Sequence, residues 1–168
     1  MPKIIENLKD RLIAEAQKQI EESGYSTMTI RSVAKACGVG VGTVYNYFPS
    51  KEVLIANHLL KDWQICIDTI QQASGCSETP QSVLRCMYEQ LVKFADCHQA
   101  IFRDAAATAG FAGSFSQYHD VLRAQLAGPL MKFCSSDFTA QFVAESLLTW
   151  SMAGKTFDEI YEILKKLF

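Results

Sequence analysis

The chain has 168 residues, 49% of them apolar and 20% charged, with a net charge of −2. That is an ordinary globular composition, long enough for one or two units with real cores. No apolar run approaches the ~20 residues of a membrane helix, and charges interrupt Met1–Asn7, which excludes a secretory leader there; the expected setting is the cytoplasm, with no membrane partner.

The charge is divided along the chain. Residues 1–61 carry eight Lys/Arg against six Asp/Glu, and residues 62–168 carry eight against twelve. A mildly basic head on an acidic body suits a protein that touches a polyanion with one end. Six cysteines occur without a Cys-x-x-Cys pair, so no zinc signature is present and no metal or other cofactor is expected. They read as reduced thiols filling small apolar volumes, with a redox role for Cys97 beside His98 as the alternative.

The pattern is helical throughout. Ile5, Leu8, Leu12, Ala16 and Ile20 recur at spacings of three and four, marking a first amphipathic helix that Gly24 ends. Thr29 is placed to cap a second helix over about 30–36, Cys37-Gly38-Val39-Gly40 forms a turn, and a third helix covers 41–48 before Pro49. Ser50 caps a fourth over 51–73, and Ser74 to Glu78 reads as a loop. Helix resumes at Thr79-Pro80 and continues to about 108 with a break near Cys97. Gly110 and Gly113 bracket an expected connector before a helix over 114–127, which Gly128-Pro129 bends or ends. Asp137 is the expected cap of a helix over 138–153, with Gly154 as its stop. Thr156 and Glu159 fit a capping box for a last helix over 157–167. No alternating pattern is long enough for a strand. The expected fold is all-α, with a three-helix head over residues 1–50 and a helical body over 51–168 joined through the fourth helix.

The head has the pattern of a helix-turn-helix. Val44 and Phe48, four apart, point inward with Val39, which places Gly42, Thr43 and Asn46 on the opposite face at ~100° per residue, flanked by Tyr45 and Tyr47. Gly42 permits close approach to a duplex. Thr43 suits a phosphate or a thymine methyl, and Asn46 has the paired donor and acceptor that read adenine. Tyrosine hydroxyls suit phosphates, and the amides of Thr29 and Ile30, with the Arg31 charge, offer another anion contact. Lys51 is expected to reach a phosphate. The candidate DNA-facing set is Thr29, Ile30, Arg31, Gly40, Val41, Gly42, Thr43, Tyr45, Asn46, Tyr47 and Lys51. On spacing alone, a plain scaffold of two helices is the equal alternative.

Residues 29–54 resemble the DNA-binding signature of the tetracycline-repressor (TetR/AcrR) family of bacterial regulators. The resemblance rests on Thr29, Val33-Ala34, Gly38-Val39, Gly42, Tyr45-Asn46-Tyr47-Phe48, Lys51 and Leu54. Cys37 stands where that family usually has alanine, and Gly40 where it usually has a capping Ser or Thr. The resemblance covers about the first 60 residues, and it implies an operator-binding homodimer with a ligand-responsive body. The expected partners are double-stranded DNA, a second copy and a small apolar or amphipathic effector.

In the body, Val143, Leu147 and Trp150 on one helix and Phe157, Ile160, Tyr161 and Leu164 on the next form stripes suited to a four-helix dimer interface; the alternative is that they pack on their own chain. Trp63, Met87, Phe94, His98, Phe102, Phe111, Phe115 and Tyr118 are candidate pocket residues, with plain core as the alternative. His58, His98 and His119 are scattered, and no catalytic motif is present, so an enzyme is not expected. A constitutive or protein-controlled DNA binder without a ligand pocket is the rival reading.

Overall fold

The computed structural model describes residues 7–168, apart from the side chains of residues 112–118. Among the described residues every regular element is helical: α1 Leu8–Ser23, α2 Ile30–Ala36, α3 Val41–Tyr47, α4 Lys51–Cys76, α5 Pro80–Cys97, α6 Gln99–Phe102, α7 Ala105–Ala127, a 3₁₀ turn Gly128–Leu130, α8 Asp137–Met152, α9 Phe157–Leu164 and a closing 3₁₀ turn Lys165–Leu167. No helix among them is long and apolar enough to cross a membrane.

Two compact units emerge. One holds the chain up to Lys61 together with His98–Ala112, and the other holds Asp62–Cys97 and Gly113–Phe168. The unit that contains the three-helix head extends past residue 50. The head keeps the first turns of α4 and recruits α6 and the start of α7, because Ile101 and Ala107 are buried in its core.

In the first unit, the α1 stripe is the expected one: Leu8, Leu12, Ala16 and Ile20 are buried, joined by Ile13. Ile5 lies outside the described residues. Gly24 ends α1 at φ +85°, and its N–H donates to the Ile20 carbonyl at 2.8 Å. The α2–α3 turn is a Schellman closure. Gly38 takes φ +70°, its N–H donates to Lys35, and the Val39 N–H donates to Ala34 at 3.0 Å. The left-handed geometry at residue 38 is why a glycine is needed there. Val33, Ala34, Val44, Phe48, Leu54 and Ile55 then close the core at no more than 1% exposure.

In the second unit, α5 contributes Val83, Leu84, Met87 and Leu91, which pack with Val143, Ala144 and Leu147 of α8 and Phe157, Ile160 and Leu164 of α9. Alanines 140 and 144 let α8 approach closely. Trp63 joins this core and donates its indole N–H to Gln125 at 2.7 Å, which satisfies its one polar group.

Three expectations about element ends change. Ser74 to Cys76 continue α4 instead of forming a loop: Ser74 Oγ donates to the Pro129 carbonyl at 3.0 Å, and Lys132 donates to the carbonyls of Ser74 and Ser77, supplying the cation that a helix C-terminus favours. Gly110 and Gly113 lie inside one continuous α7 rather than in a connector. At Gly110 an added Cβ would stand 3.2 Å from Glu52 Cγ, so close packing explains the glycine. The cap of α8 is Ser136, whose hydroxyl accepts from the Thr139 N–H at 3.1 Å, not Asp137. The Thr156–Glu159 capping box forms as expected.

Candidate nucleic-acid interface

The third helix of the head, α3, is fixed by what it buries. Val44 and Phe48 are both 0% exposed, and Val39 is half-buried against the same core. Their burial turns Gly42, Tyr45, Asn46 and Tyr47 outward, with Val41 and Thr43 half-exposed beside them. Tyr45 and Tyr47 are 50% and 42% exposed, a large aromatic display for two neighbouring positions. Gly40 caps α3 with an extended backbone and no side-chain hydrogen bond. At Gly42 nothing lies within 4 Å of where a Cβ would be, so the backbone is bare on the outer face.

The N-terminus of α2 is more occupied than expected. Thr29 Oγ1 accepts from the Ser32 N–H at 3.0 Å, and Ser32 Oγ accepts from the Thr29 N–H at 3.1 Å. Ser32 Oγ also donates to Gln19 Oε1 at 2.5 Å, which ties α2 to α1. The Thr29 amide is therefore already partnered, a correction to its expected anion role. The Ile30 side chain is buried, which leaves only its backbone for the outer surface, whereas Arg31 is exposed.

Lys51 also departs from expectation. Its ammonium donates to the Tyr25 carbonyl and lies 4.0 Å from the centre of the Tyr25 ring. Burial, the main cause, holds its pKa below the ordinary lysine value, opposed by the charges of Asp104 and Glu52. The same burial, with Glu52 second, pushes the Tyr25 phenol up to about 12. Lys51 is thus a brace between the start of α4 and the segment after α1.

Two further contacts were not legible beforehand. Asp104 Oδ2 accepts from the Ser26 hydroxyl at 2.7 Å and its amide at 3.2 Å, while Oδ1 accepts from the amides of Ala106 and Ala107. One carboxylate thereby caps α7 and binds the α1–α2 segment, and the Ser26 hydrogen bond is the main cause holding its pKa below the usual range. At the turn, the Cys37 thiol donates to the Arg11 carbonyl at 3.7 Å and Arg11 Nη2 donates to the Cys37 carbonyl at 3.3 Å. Cys37 therefore does more than occupy an alanine-sized volume.

The expected dimer stripes are mostly internal. Val143, Leu147, Phe157, Ile160 and Leu164 are at most 5% exposed and Tyr161 is half-buried against the same core, so they pack on their own chain. Only Trp150, at 50%, faces outward. Besides Trp150, the large apolar residues of α8 and α9 that face outward are Phe138, Phe142, Met152 and Ile163, which lie off the expected stripes. Phe142, Trp150 and Ile163 line a groove of about 320 Å³ between α8 and α9.

The expected pocket residues are likewise distributed. Met87 is 0% exposed and Trp63 4%, with Phe94 edge-on to Trp63 at 5.4 Å; these are core contacts of the second unit. His98, Phe102 and Phe111 belong to the first unit, where Phe111 packs toward Tyr25 and Phe102 is exposed. The side chains of Phe115 and Tyr118 lie outside the described residues.

Residues 12–57 match the family model of bacterial regulatory proteins, tetR family. An uncharacterized HTH-type transcriptional regulator, YuxN, of Bacillus subtilis is 29% identical over 93 residues, which is 52% of this chain and 32% of that protein. The chain spans from about a quarter to about half the length of relatives of this kind. A crystal structure of a putative transcriptional regulator of Streptomyces coelicolor superposes with TM-score 0.74 over 96% of this chain and 98% of that one, at 12% identity. A TetR-family regulator of Pectobacterium atrosepticum gives 0.69 over 97% and 93%, at 20% identity. At those identities the likeness is one of fold. The matched segment contains the buried Val44–Phe48 pair and the outward α3 face, and over this segment the chain is similar to the bacterial regulatory proteins of the tetR family.

Proposed function

We propose that this chain is a homodimeric transcriptional repressor that binds a near-palindromic operator and is released by an effector. The observation that carries the reading is α3 itself: a helix anchored by Val44 and Phe48 that presents a bare Gly42 backbone, Asn46 and two tyrosine hydroxyls on one outer face. A bare backbone admits close approach to base edges, Asn46 supplies adenine readout, and the hydroxyls suit phosphates. Arg31, exposed in the first turn of α2, adds a charge to the head. Repression requires only occupancy of a promoter.

One head reads too little sequence for high specificity, so two heads on a two-fold axis are proposed. The exposed groove lined by Phe142, Trp150 and Ile163 supports α8 and α9 as the shared surface, since an apolar face of this kind is suited to burial against a second copy. Selection of bound sites from random duplexes tests the reading. A two-fold symmetric site of about two half-turn elements is expected, with Asn46→Ala relaxing preference at one position per half-site. Failure to retard any duplex at low ionic strength would overturn it.

A rival reading has a specific observation in its favour. Trp63 and Met87 are packed core residues, which favours a constitutive or protein-controlled binder over one with an apolar ligand cavity at those positions.

A further inference from the structure

We propose that Ser26 and Asp104 are positioning residues for α3, fixing the pose of the outward helix without touching DNA themselves, a role that rests on the regulator reading. Both belong to the first unit, 78 positions apart in the chain.

α3 is reached through the segment 24–28, which joins α1 to α2. Tyr25 and Met28 are buried and anchor it, while Ser26 is exposed. Across its turn the Met28 N–H donates to the Gly24 carbonyl at 3.4 Å, a long backbone bond. The middle of the segment is held by other elements. The Tyr25 carbonyl accepts from the Lys51 ammonium of α4, and the Ser26 N–H donates to the Asp104 carboxylate at 3.2 Å. The entry to α2 therefore takes its position from two side chains distant in the chain.

Asp104 divides its two oxygens between two tasks. Oδ1 accepts from the amides of Ala106 and Ala107 at 2.8 and 3.1 Å, which caps α7. Oδ2 accepts from the Ser26 hydroxyl at 2.7 Å and from the Ser26 amide. A cap needs only the first oxygen, so the second bonds are a separate device. The carboxylate is also well fixed. The Asp104 N–H donates to the Ile101 carbonyl at 3.1 Å, its carbonyl accepts from the Thr108 amide and hydroxyl at 3.0 and 3.1 Å, and Ile101 and Ala107 lie in the core of the unit. Hydrogen bonds to an ionised acceptor are the stronger kind, and this acceptor cannot drift.

Ser26 stands three residues before the Thr29 cap of α2. α2 passes into α3 through the Gly38 closure, and Val33 and Val44 are buried in one core, so a displacement at Ser26 carries both helices. A recognition surface works only within about 0.5 Å and 10–20° of its productive geometry. Loss of the tie changes the pose of Tyr45, Asn46 and Tyr47 and leaves their chemistry as it was.

The experiment uses the full chain, the duplex recovered by selection and an unrelated duplex. Asp104→Asn keeps an oxygen for the α7 cap and removes the acceptor of the Ser26 amide, and Ser26→Ala removes the hydroxyl. Each is expected to lower affinity for the selected duplex about tenfold and for the unrelated one less than about twofold, at a temperature where circular dichroism shows folded chains. The double variant is expected to lose no more than about tenfold, because both changes cut one link. The logarithmic salt slope is expected to stay the same, and Ser26→Thr is expected to keep wild-type affinity. Without DNA, the backbone amide chemical shifts of Gly42 to Tyr47 are expected to move in both single variants. Unmoved α3 amides, unchanged selected affinity, equal losses on the two duplexes or multiplied losses in the double variant would each overturn the positioning role. Should Asp104→Asn fail to fold, Ser26→Ala against Ser26→Thr decides alone. Wild type that binds the selected duplex no better than its Ser26→Ala form sinks this role and leaves the regulator reading intact. Wild type that retards no duplex sinks the regulator reading, and the α3 shifts still decide the positioning.

Discussion

The Lys51 ammonium caps the face of the Tyr25 ring at 4.0 Å and donates to the carbonyl of the same residue. A side chain that spacing placed against DNA is thus engaged inside the head. Lys51→Ala is expected to lower stability by about 1–3 kcal/mol, from the lost cation–π contact and the unpaired carbonyl. The logarithmic salt slope of DNA binding is expected to stay the same, since no phosphate partner is removed. Denaturant unfolding and a salt series of retardation assays check both halves.

Gly42 within α3 and Gly40 at its cap are expected to separate stability from binding. Gly42→Ala places a methyl in open space on an exposed helix, which stabilises by about 0.5–1 kcal/mol. The same methyl meets the duplex, and operator affinity is expected to fall about tenfold, roughly 1.4 kcal/mol. At Gly40 a new Cβ would stand 3.8 Å from Thr43 Oγ1, ordinary contact distance. Gly40→Ser therefore restores a hydroxyl cap and is expected to add a few tenths of a kcal/mol without loss of binding. Parallel melting and retardation measurements on the two variants test the contrast.

Trp150 and Leu147, three positions apart on α8, are expected to behave oppositely. Leu147 is 1% exposed, so Leu147→Ala is expected to destabilise the chain by about 2–5 kcal/mol. Trp150→Glu is expected to leave the fold intact and convert a dimer to a monomer in sedimentation at micromolar concentration. A Trp150→Glu chain that sediments as wild type would sink the α8–α9 interface.

The α9 capping box carries a pH signature. Backbone and side-chain hydrogen bonds from Thr156, with Lys155 third, hold Glu159 down at about 2, against an ordinary value of 4.5. Because the folded value is the lower, the contribution to stability is fully present above pH 4.5 and is lost as pH falls toward 2. Glu159→Gln is expected to flatten that part of the acid-denaturation curve. Carboxyl chemical shifts followed through an acid titration locate the midpoint directly.

Much of the head was legible because its signals are local. Thr29, Gly38 and the Val44–Phe48 spacing act through neighbours a few residues away, so the turn and the outward face of α3 followed from the order of residues alone. The Thr156–Glu159 box was legible for the same reason. Glycine was the misleading signal. Gly75 and Gly110 read as breaks, yet a helix accepts glycine at about 1 kcal/mol each when tertiary contacts hold it, as Lys132 and Ser74 hold the end of α4.

Helical periodicity identifies an apolar face but not what covers it. Periodicity therefore does not distinguish Val143, Leu147 and Ile160, which their own chain buries, from the exposed Phe142 and Ile163. By itself the order of residues determined the helices, the turn and which side chains α3 turns outward, since those depend on interactions within a few positions. Only the tertiary structure decided that Lys51 turns to Tyr25, that Asp104 holds Ser26 and that His58 meets His98. Those meetings join residues 26 to 78 positions apart, and packing of the intervening helices, not local propensity, sets the distance between such residues.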